Sequence, residues 1–422
     1  MFHIQTFFCS SRKISKNILQ NHTRKDILTS ANILKYESKC CDESRAKIYT
    51  LKNTKNSKTE LKGSINMKKI LAVLLAMVML VGLSACNTSP SSTPTSSQSP
   101  ANTAGPAEEK PPVSDPAKTI VFKAAQESDS QNSYGIGLEK LAELINEKSD
   151  GRYQLDVYHS GQLGTEAELV EGITMNTVDI VAVTTSIIVN TVPEYGIFDL
   201  PYMLEDFEAV DLVFNGELGR EYLDMLADYG IIGLRFWVNG FRCAANSKHP
   251  INTPEDFAGI KMRTMNNPVH ITSFEALGAV ATPMAYGEVY TAIQQGTVDG
   301  MEAPIQTIYS SSFYEVAPYV SITNHVYSSA LLLMSESCRS QIPEEDWAIW
   351  EEALNEASQF EADYAIARTQ EGIEAMTAAG SEVNEVQNIS LFAEAVTGVY
   401  AQYYDVYGQD AIQKILDVAS GK

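Results

Sequence analysis

Two arginines are the side chains in this sequence best suited to bind a small anion. Arg242 and Arg263 each fall at the end of a predicted strand, in a part of the chain with few basic residues. A guanidinium group donates two parallel hydrogen bonds to a carboxylate and stays charged when water is excluded. The alternative is that either arginine pairs with an acidic side chain of the protein and serves only the fold.

Catalytic motifs are absent from the sequence. The four histidines after residue 86 have neither HxxxH nor HExxH spacing, and there is no GxSxG elbow, GxxxxGK[ST] loop or GxGxxG turn. Carboxylates are abundant, but no pair of them stands out by its position. We therefore predict a binding protein and not an enzyme, with no catalytic residue, metal site or cofactor.

Strands and helices alternate in the part of the chain that precedes the two arginines. Buried strands are predicted at Ile120–Ala125, Tyr153–Tyr158 and Val178–Val183, and amphipathic helices at Tyr134–Lys148 and Glu166–Asn176. This alternation predicts an α/β fold with a mostly parallel sheet. Ligands of such sheets bind outside the carboxyl ends of the strands, so the loops there are candidate walls of a site.

The second half of the chain continues the pattern and then becomes helical. A strand is predicted from Ile231 to Val238, closed by a turn at 239–242 that ends in Arg242. Two further strands are expected around residues 324–325. Helices are predicted from about residue 342 onward, so we expect the end of the chain to pack back across the body.

A lipoprotein signal lies inside the N-terminal region. Lysines at 68 and 69 precede an apolar run and a segment of small residues that ends at Cys86. We expect residues 67–85 to be a signal peptide, too short to remain as a membrane span, and Cys86 to carry the lipid. We also expect translation to start at Met67, with residues 1–66 an over-extended gene prediction; the alternative is an unusual N-terminal extension.

The chain that follows Cys86 is strongly acidic. Residues 1–85 contain 15 of the 31 Lys/Arg and 5 of the 53 Asp/Glu, so 16 basic and 48 acidic side chains remain, with a formal charge of −32. This charge excludes a nucleic-acid-binding surface. Residues 87–117, rich in Ser, Thr, Pro and Ala, predict a flexible tether. Cys243 and Cys338 could form a disulfide, but two separate buried thiols are the favoured interpretation.

Several segments, in order and spacing, resemble the signature of one family. GIKMR at 259–263, the segment at 279–290 and QGTVDGMEAP at 295–304 resemble the DctP-type solute-binding proteins of TRAP (tripartite ATP-independent periplasmic) transporters. Shorter segments that agree with the same signature lie at 160–164, 198–202, 239–242 and 323–325. The resemblance extends from about residue 119 to the C-terminus.

The resemblance implies a two-lobed, periplasmic-binding-protein-like α/β fold with long C-terminal helices. The ligand would lie in a cleft between the lobes, which close over it about a hinge. Lobe I would comprise 118–239 plus about 328–367, and lobe II 240–327 plus about 368–422. Residues 86–117 would form the lipid anchor and tether in front of this body.

The resemblance also implies roles for individual residues. Arg263 would pair with the ligand carboxylate, Arg242 would add a second contact, and Tyr286 would pack on the ligand. The cleft walls would include His325, Asn132 and Glu166.

Two positions of the predicted site depart from the pattern of relatives. Ala303 stands where many relatives have Asn, so one amide contact is missing. Thr184 replaces a Glu of sialate-binding relatives, and Ile187 replaces an Arg, which argues against sialate.

The function implied is capture of a small organic carboxylate, either a sugar acid or a C4-dicarboxylate. The protein would act as a monomer outside the cytoplasm, anchored to the outer face of the membrane by its lipid alone, and deliver the acid to TRAP membrane subunits. A ligand-sensing lipoprotein that feeds a sensor kinase or chemoreceptor is the alternative. The identity of the acid stays open between the two classes.

Overall fold

The computed structural model describes residues 119–422. The predicted signal peptide, Cys86, the tether and the proposed start at Met67 all lie outside the described residues. Within the described range, no helix has both the length and the apolar character needed to cross a membrane.

One mixed sheet of nine strands runs through residues 119–422, in the order β2-β1-β3-β8-β4-β7-β5-β6, with β9 paired to β8. Five of the eight strand pairs are parallel, which agrees with the predicted mostly parallel sheet. The strands are β1 (Ile120–Ala125), β2 (Tyr153–Tyr158), β3 (Ile180–Thr184), β4 (Ile231–Asn246), β5 (Lys261–Thr264), β6 (Val280–Pro283), β7 (Gly300–Pro304), β8 (Tyr319–Ser335) and β9 (Glu382–Glu385).

Thirteen α-helices accompany the sheet in the described part of the chain. They are α1 (Ser133–Lys148), α2 (Glu166–Thr174), α3 (Thr185–Ile188), α4 (Phe207–Phe214), α5 (Glu217–Met225), α6 (Pro268–Ala276), α7 (Val289–Gln294), α8 (Ile305–Ser310), α9 (Glu336–Ser340), α10 (Glu344–Ala379), α11 (Ile389–Ala395), α12 (Thr397–Tyr407) and α13 (Gln409–Ala419). Short 3₁₀ turns lie at Pro193–Asp199, Leu226–Tyr229, Pro254–Phe257, Tyr286–Glu288 and Phe313–Glu315.

The long antiparallel strands β4 and β8 connect two groups of strands. The first group, β1 to β3, joins β8 through the pairing of β3 with Ala330–Met334. The second group, β5 to β7, joins β4 through the pairing of β7 with Arg242–Asn246. This arrangement brings the carboxyl ends of parallel strands from both groups toward the middle of the sheet. The assignment of residue ranges to two lobes stays a prediction.

The predicted turn at 239–242 is wrong, because β4 continues through it as a bulged strand. The register between β4 and β8 shifts at Val238/Gly240 and again at Arg242/Ala244. Gly240 has a φ of 121°, a left-handed conformation that glycine accepts at little cost. Asn324 has a φ of 43° and likewise lets β8 pass without the break that we predicted there. Arg242 therefore lies inside a strand and not at its end.

The buried side chains form three clusters around the sheet. One contains Phe122, Trp237 and Trp350, another surrounds the 3₁₀ turn at Pro193–Asp199, and a third packs on β7 around Met301. Cys338 belongs to the first cluster and Cys243 to the third, and both thiols are free and buried. The favoured interpretation of two separate thiols is confirmed.

The C-terminal helices return across the body, as predicted. The helix α10 is 36 residues long, and α13 then packs against α4, where Lys414 and Glu221 of the neighbouring α5 form an ion pair of 2.6 Å. The short strand β9 was not predicted, since its four residues lack an alternating apolar pattern.

Candidate functional site

A cavity of about 350 Å³ lies where the carboxyl ends of strands from both groups meet. Glu127 follows β1, Thr184 ends β3, and Glu166 begins α2, so one wall comes from the first group of strands. Arg263 on β5 and Tyr286 after β6 belong to the opposite group. The volume lies in the range of sites for small organic ligands.

Arg263 is a buried guanidinium without a carboxylate partner in the described chain. Its side chain is 3% exposed, and Nε and Nη2 both donate to the backbone carbonyl of Met284, at 3.0 and 2.7 Å. No Asp or Glu oxygen of residues 119–422 lies within 4.0 Å of the group, and Nη1 has no acceptor there. Burial lowers the pKa of Arg263 to about 10, so the group still carries its charge at neutral pH.

Arg242 lines the same cavity but is paired with a protein carboxylate. Glu302 on β7 accepts hydrogen bonds from Nε and, at 2.8 Å, from Nη2, and the Glu302 backbone carbonyl also accepts from Nη2 at 2.7 Å. Both side chains are almost fully buried. The alternative that an arginine pairs with an acidic side chain of the protein is therefore observed for Arg242 and not for Arg263.

Glu302 is also the centre of a buried network with two histidines. His325 Nε2 lies 3.3 Å from Glu302 Oε2, and His270 Nδ1 lies 3.5 Å from Oε1, an ion-pair distance without hydrogen-bond geometry. Asp199 contacts His270 Nε2 at 3.2 Å. Burial favours the neutral acid, but Arg242 and His270 hold the pKa of Glu302 well below its usual range. Burial also opposes the charge of His270, but Glu302 and Asp199 raise its pKa to about 9.

Two carboxylates lie together on the wall formed by the first group of strands. Glu166 accepts from the Thr184 backbone N–H at 2.9 Å and from the Thr184 hydroxyl at 2.7 Å, and the Glu166 N–H donates to Glu127 at 2.8 Å. Burial and the neighbouring charge of Glu127 raise the pKa of Glu166 to about 7. Burial likewise raises the pKa of Glu127.

The ring of Tyr286 is held at the cavity by contacts on its far side. Its hydroxyl forms a 2.6 Å hydrogen bond with Ser311, and the ring packs edge-on against Phe313 at a centroid distance of 5.5 Å. Two fixed contacts leave little rotational freedom. The aromatic ring is thus available as a rigid packing surface beside Arg263.

Six of the eight predicted site residues line the cavity, and two do not. The six are Arg263, Arg242, Tyr286, Glu166, Thr184 and Ala303. His325 lies on the far side of Glu302, with its ring against Phe274. Asn132 caps α1 by accepting from the Tyr134 N–H, and its amide donates to the cavity-lining Thr307, so Asn132 stands one layer behind the wall. Their ligand contacts stay predictions.

Glu127, Tyr134 and Glu302 are among the residues that sequence reasoning missed. Glu127 and Tyr134 line the cavity, and the buried Tyr134 hydroxyl has no hydrogen-bond partner within residues 119–422. Glu302 belongs to the segment at 295–304 that resembles the family signature, so sequence reasoning could have singled it out. Its pairing with Arg242 could not be predicted from the sequence.

Metal binding does not compete with this cavity in the described chain. No group of three or more His, Cys, Asp or Glu side chains in residues 119–422 is placed to hold a metal ion. Asp299, in the family-like segment at 295–304, accepts from the Lys261 N–H at 3.0 Å and pairs with Lys248 at 3.0 Å. It does not line the cavity.

The fold and the cavity define an α/β solute-binding protein. The family model described as bacterial extracellular solute-binding protein, family 7 (DctP) matches residues 124–406. The chain belongs to this family. Membership supports the prediction that the protein binds a solute and is not an enzyme. It also supports the prediction that the protein acts outside the cytoplasm, and it favours transport over sensing.

Relatives and solved structures agree with this membership. A C4-dicarboxylate-binding protein from Bacillus subtilis is 30% identical over 71% of this chain and 86% of its own length. The sugar-acid-binding protein of Advenella mimigardefordensis, solved with galactonate, is 30% identical with a TM-score of 0.70, over 72% of this chain and 99% of that one. A TRAP solute-binding protein from Bordetella bronchispeptica, with density interpreted as pantoate, is 37% identical with a TM-score of 0.69, over 71% and 99%. The predicted two-lobed α/β fold is confirmed.

Proposed function

We propose that this protein captures a small organic acid in the cavity, with Arg263 as the anchor for the ligand carboxylate. The observation that carries the proposal is the buried guanidinium of Arg263, which has no carboxylate partner in residues 119–422. An unpaired buried charge is costly, so a site that keeps one gains from an anionic ligand. The ligands of the relatives, galactonate, pantoate and C4-dicarboxylates, are all carboxylates.

The remaining parts of the predicted site would support this anchor. Arg242 keeps Nη1 without an acceptor in residues 119–422, which suits a second contact to the ligand. Tyr286 would pack on the carbon skeleton, and the Tyr134 hydroxyl would donate to a ligand oxygen. Thr184 and Ala303 would shape the wall without contributing charge.

The protein would then deliver its ligand to the membrane subunits of a TRAP transporter. We propose that it does so as a monomer, held at the outer face of the membrane by a lipid on Cys86. The sequence around Cys86 and the polar tether of residues 87–117 support this arrangement. Replacing Cys86→Ala should move the protein from the membrane fraction to the soluble fraction; retention in the membrane would contradict a lipid anchor.

A thermal-shift screen tests the binding function directly. The panel would contain aldonates, uronates, dicarboxylates and keto acids, with the corresponding neutral sugars and polyols as controls. A ligand present at 100 times its Kd adds about 2.7 kcal/mol to the free energy of unfolding, a shift that is easily measured. Stabilisation by neutral sugars and by no carboxylate would reject the proposal.

A further inference from the structure

The charged side chains that line the cavity are divided between its two walls. Arg242 and Arg263 come from β4 and β5, whereas Glu127 follows β1 and Glu166 begins α2. Glu302 neutralises Arg242, so Arg263 is the one lining arginine of the described chain that lacks a carboxylate partner. A ligand in this cavity meets a single uncompensated positive charge on one side and a pair of carboxylates on the other.

The carboxylate pair retains capacity to accept hydrogen bonds. Glu166 accepts one bond at each oxygen from Thr184, and Glu127 Oε2 accepts one from the Glu166 N–H. Each carboxylate oxygen has two lone-pair directions, so these contacts leave acceptor positions on both groups. A ligand hydroxyl can donate to them, whereas a second ligand carboxylate has no proton to donate and is repelled.

On the basis of the proposed function, we infer that the cavity selects hydroxylated monocarboxylates, such as aldonates and uronates, over dicarboxylates of the same length. Arg263 would take the carboxylate end, and Glu127 with Glu166 would accept hydrogen bonds from the hydroxyl end. The same two carboxylates would exclude an acid with a charge at both ends. Specificity would come as much from this repulsion as from the attraction at Arg263.

Pairs of acids that differ only at the far end give the sharpest test. Galactonate and galactarate differ in whether carbon 6 is an alcohol or a carboxylate, and D-erythronate and meso-tartrate differ in the same way at carbon 4. Calorimetry at pH 8 should give a Kd at least about tenfold lower for the alcohol than for the diacid in at least one pair. A preference for the alcohol below about tenfold in both pairs would overturn the inference.

Substitution of Glu127 and Glu166 tests whether these two carboxylates cause the preference for the monoacid over the diacid. In the double variant Glu127→Gln and Glu166→Gln, the affinity for the diacid should rise relative to the monoacid, so the ratio of the two Kd values should approach one. Glu171→Gln, at an exposed position of α2 outside the cavity, is the matched control and should keep the wild-type ratio. An unchanged ratio in the folded double variant would reject the role of the two carboxylates.

The outcomes separate this inference from the proposed function. If dicarboxylates bind and hydroxylated monocarboxylates do not, the cavity is a carboxylate site but the inference is wrong. If no carboxylate of any kind binds, both fail. The wild-type comparison alone decides between these results, so a double variant that does not fold leaves the test intact.

Discussion

Glu302 pairs through both of its carboxylate oxygens with Arg242 and not with Arg263, although both arginines line the cavity. The antiparallel register of β4 and β7 sets Ala244 opposite Glu302, and Arg242, two residues earlier on β4, opposite Pro304, two residues later on β7. Arg263 lies on β5, where its Nε and Nη2 donate to the Met284 carbonyl. The two arginines thus have different roles: Arg242 is paired within the fold, whereas Arg263 keeps no carboxylate partner in the described chain.

Arg263→Lys should weaken ligand binding while the protein stays folded. Lys keeps the positive charge but loses the two parallel donors, and truncation of a buried charge pair costs about 2 to 5 kcal/mol of binding free energy. Calorimetry with the best ligand of the screen measures the loss. Arg220→Lys on α5, where the side chain is 60% exposed, is the control and should bind like the wild type. An unchanged Kd for folded Arg263→Lys would exclude Arg263 as the anchor.

Glu302→Gln should destabilise the protein itself. The substitution leaves Arg242 and His270 as buried cations without their shared carboxylate, and loss of one partner of a buried pair costs about 3 to 5 kcal/mol. Urea denaturation monitored by circular dichroism gives the free energy of unfolding. A loss below about 1 kcal/mol, comparable to an exposed pair, would show that the network does not hold the fold together.

Stability should fall as the pH rises from about 4.5 to about 8 because of one buried carboxyl on α10. Glu361 is fully buried, accepts from the Val238 N–H at 2.9 Å, and has no partner for Oε1 in the described chain. Burial raises the pKa of Glu361 to about 8. A folded-state pKa above the unfolded value means that the stabilising contribution is complete below about pH 4.5 and is lost as the pH rises through 8.

Glu361→Gln isolates this contribution. The neutral amide cannot ionise. The free energy of unfolding of Glu361→Gln minus that of the wild type should therefore be larger at pH 9 than at pH 5, by on the order of 3 kcal/mol. Denaturation curves at the two pH values give the comparison. Glu374→Gln, at an exposed position of the same helix, should show no such pH-dependent gain. Parallel pH profiles for the wild type and Glu361→Gln would contradict the prediction.

The inferred preference for monocarboxylates should depend on pH. Burial and the charge of Glu127 raise the pKa of Glu166 to about 7, so Glu166 is mostly ionised at pH 8 and mostly protonated at pH 6. The charged groups that act on it are Glu127 and Arg242, and Thr184 donates to it. Protonation of Glu166 removes its own part of the repulsion, so the ratio of galactarate to galactonate Kd values should fall several-fold from pH 8 to pH 6. Calorimetry at both pH values measures this ratio, and Glu166→Gln should make it insensitive to pH.

Much of the fold followed from local patterns. Short apolar runs and, for β2, apolar alternation located β1 to β3, and the helix α1 begins and ends near its predicted bounds. Such elements are predictable because the spacing of apolar residues along the chain follows the pattern of burial. The order of the motifs also placed Arg263, Tyr286 and Ala303 near one site. The continuity of β4 and β8 was not predicted, since asparagine and glycine in the middle of a strand are indistinguishable from a turn without the partner strand.

The sequence by itself determined the α/β class, the family and six of the residues that line the cavity, among them both arginines. Only the tertiary structure decided which arginine is paired and which wall is acidic. The bonds involved join residues far apart in the chain, 60 positions for Arg242 and Glu302 and 39 for Glu127 and Glu166. Pairings of this kind depend on strand register and on where loops meet, which no local pattern of residue types records.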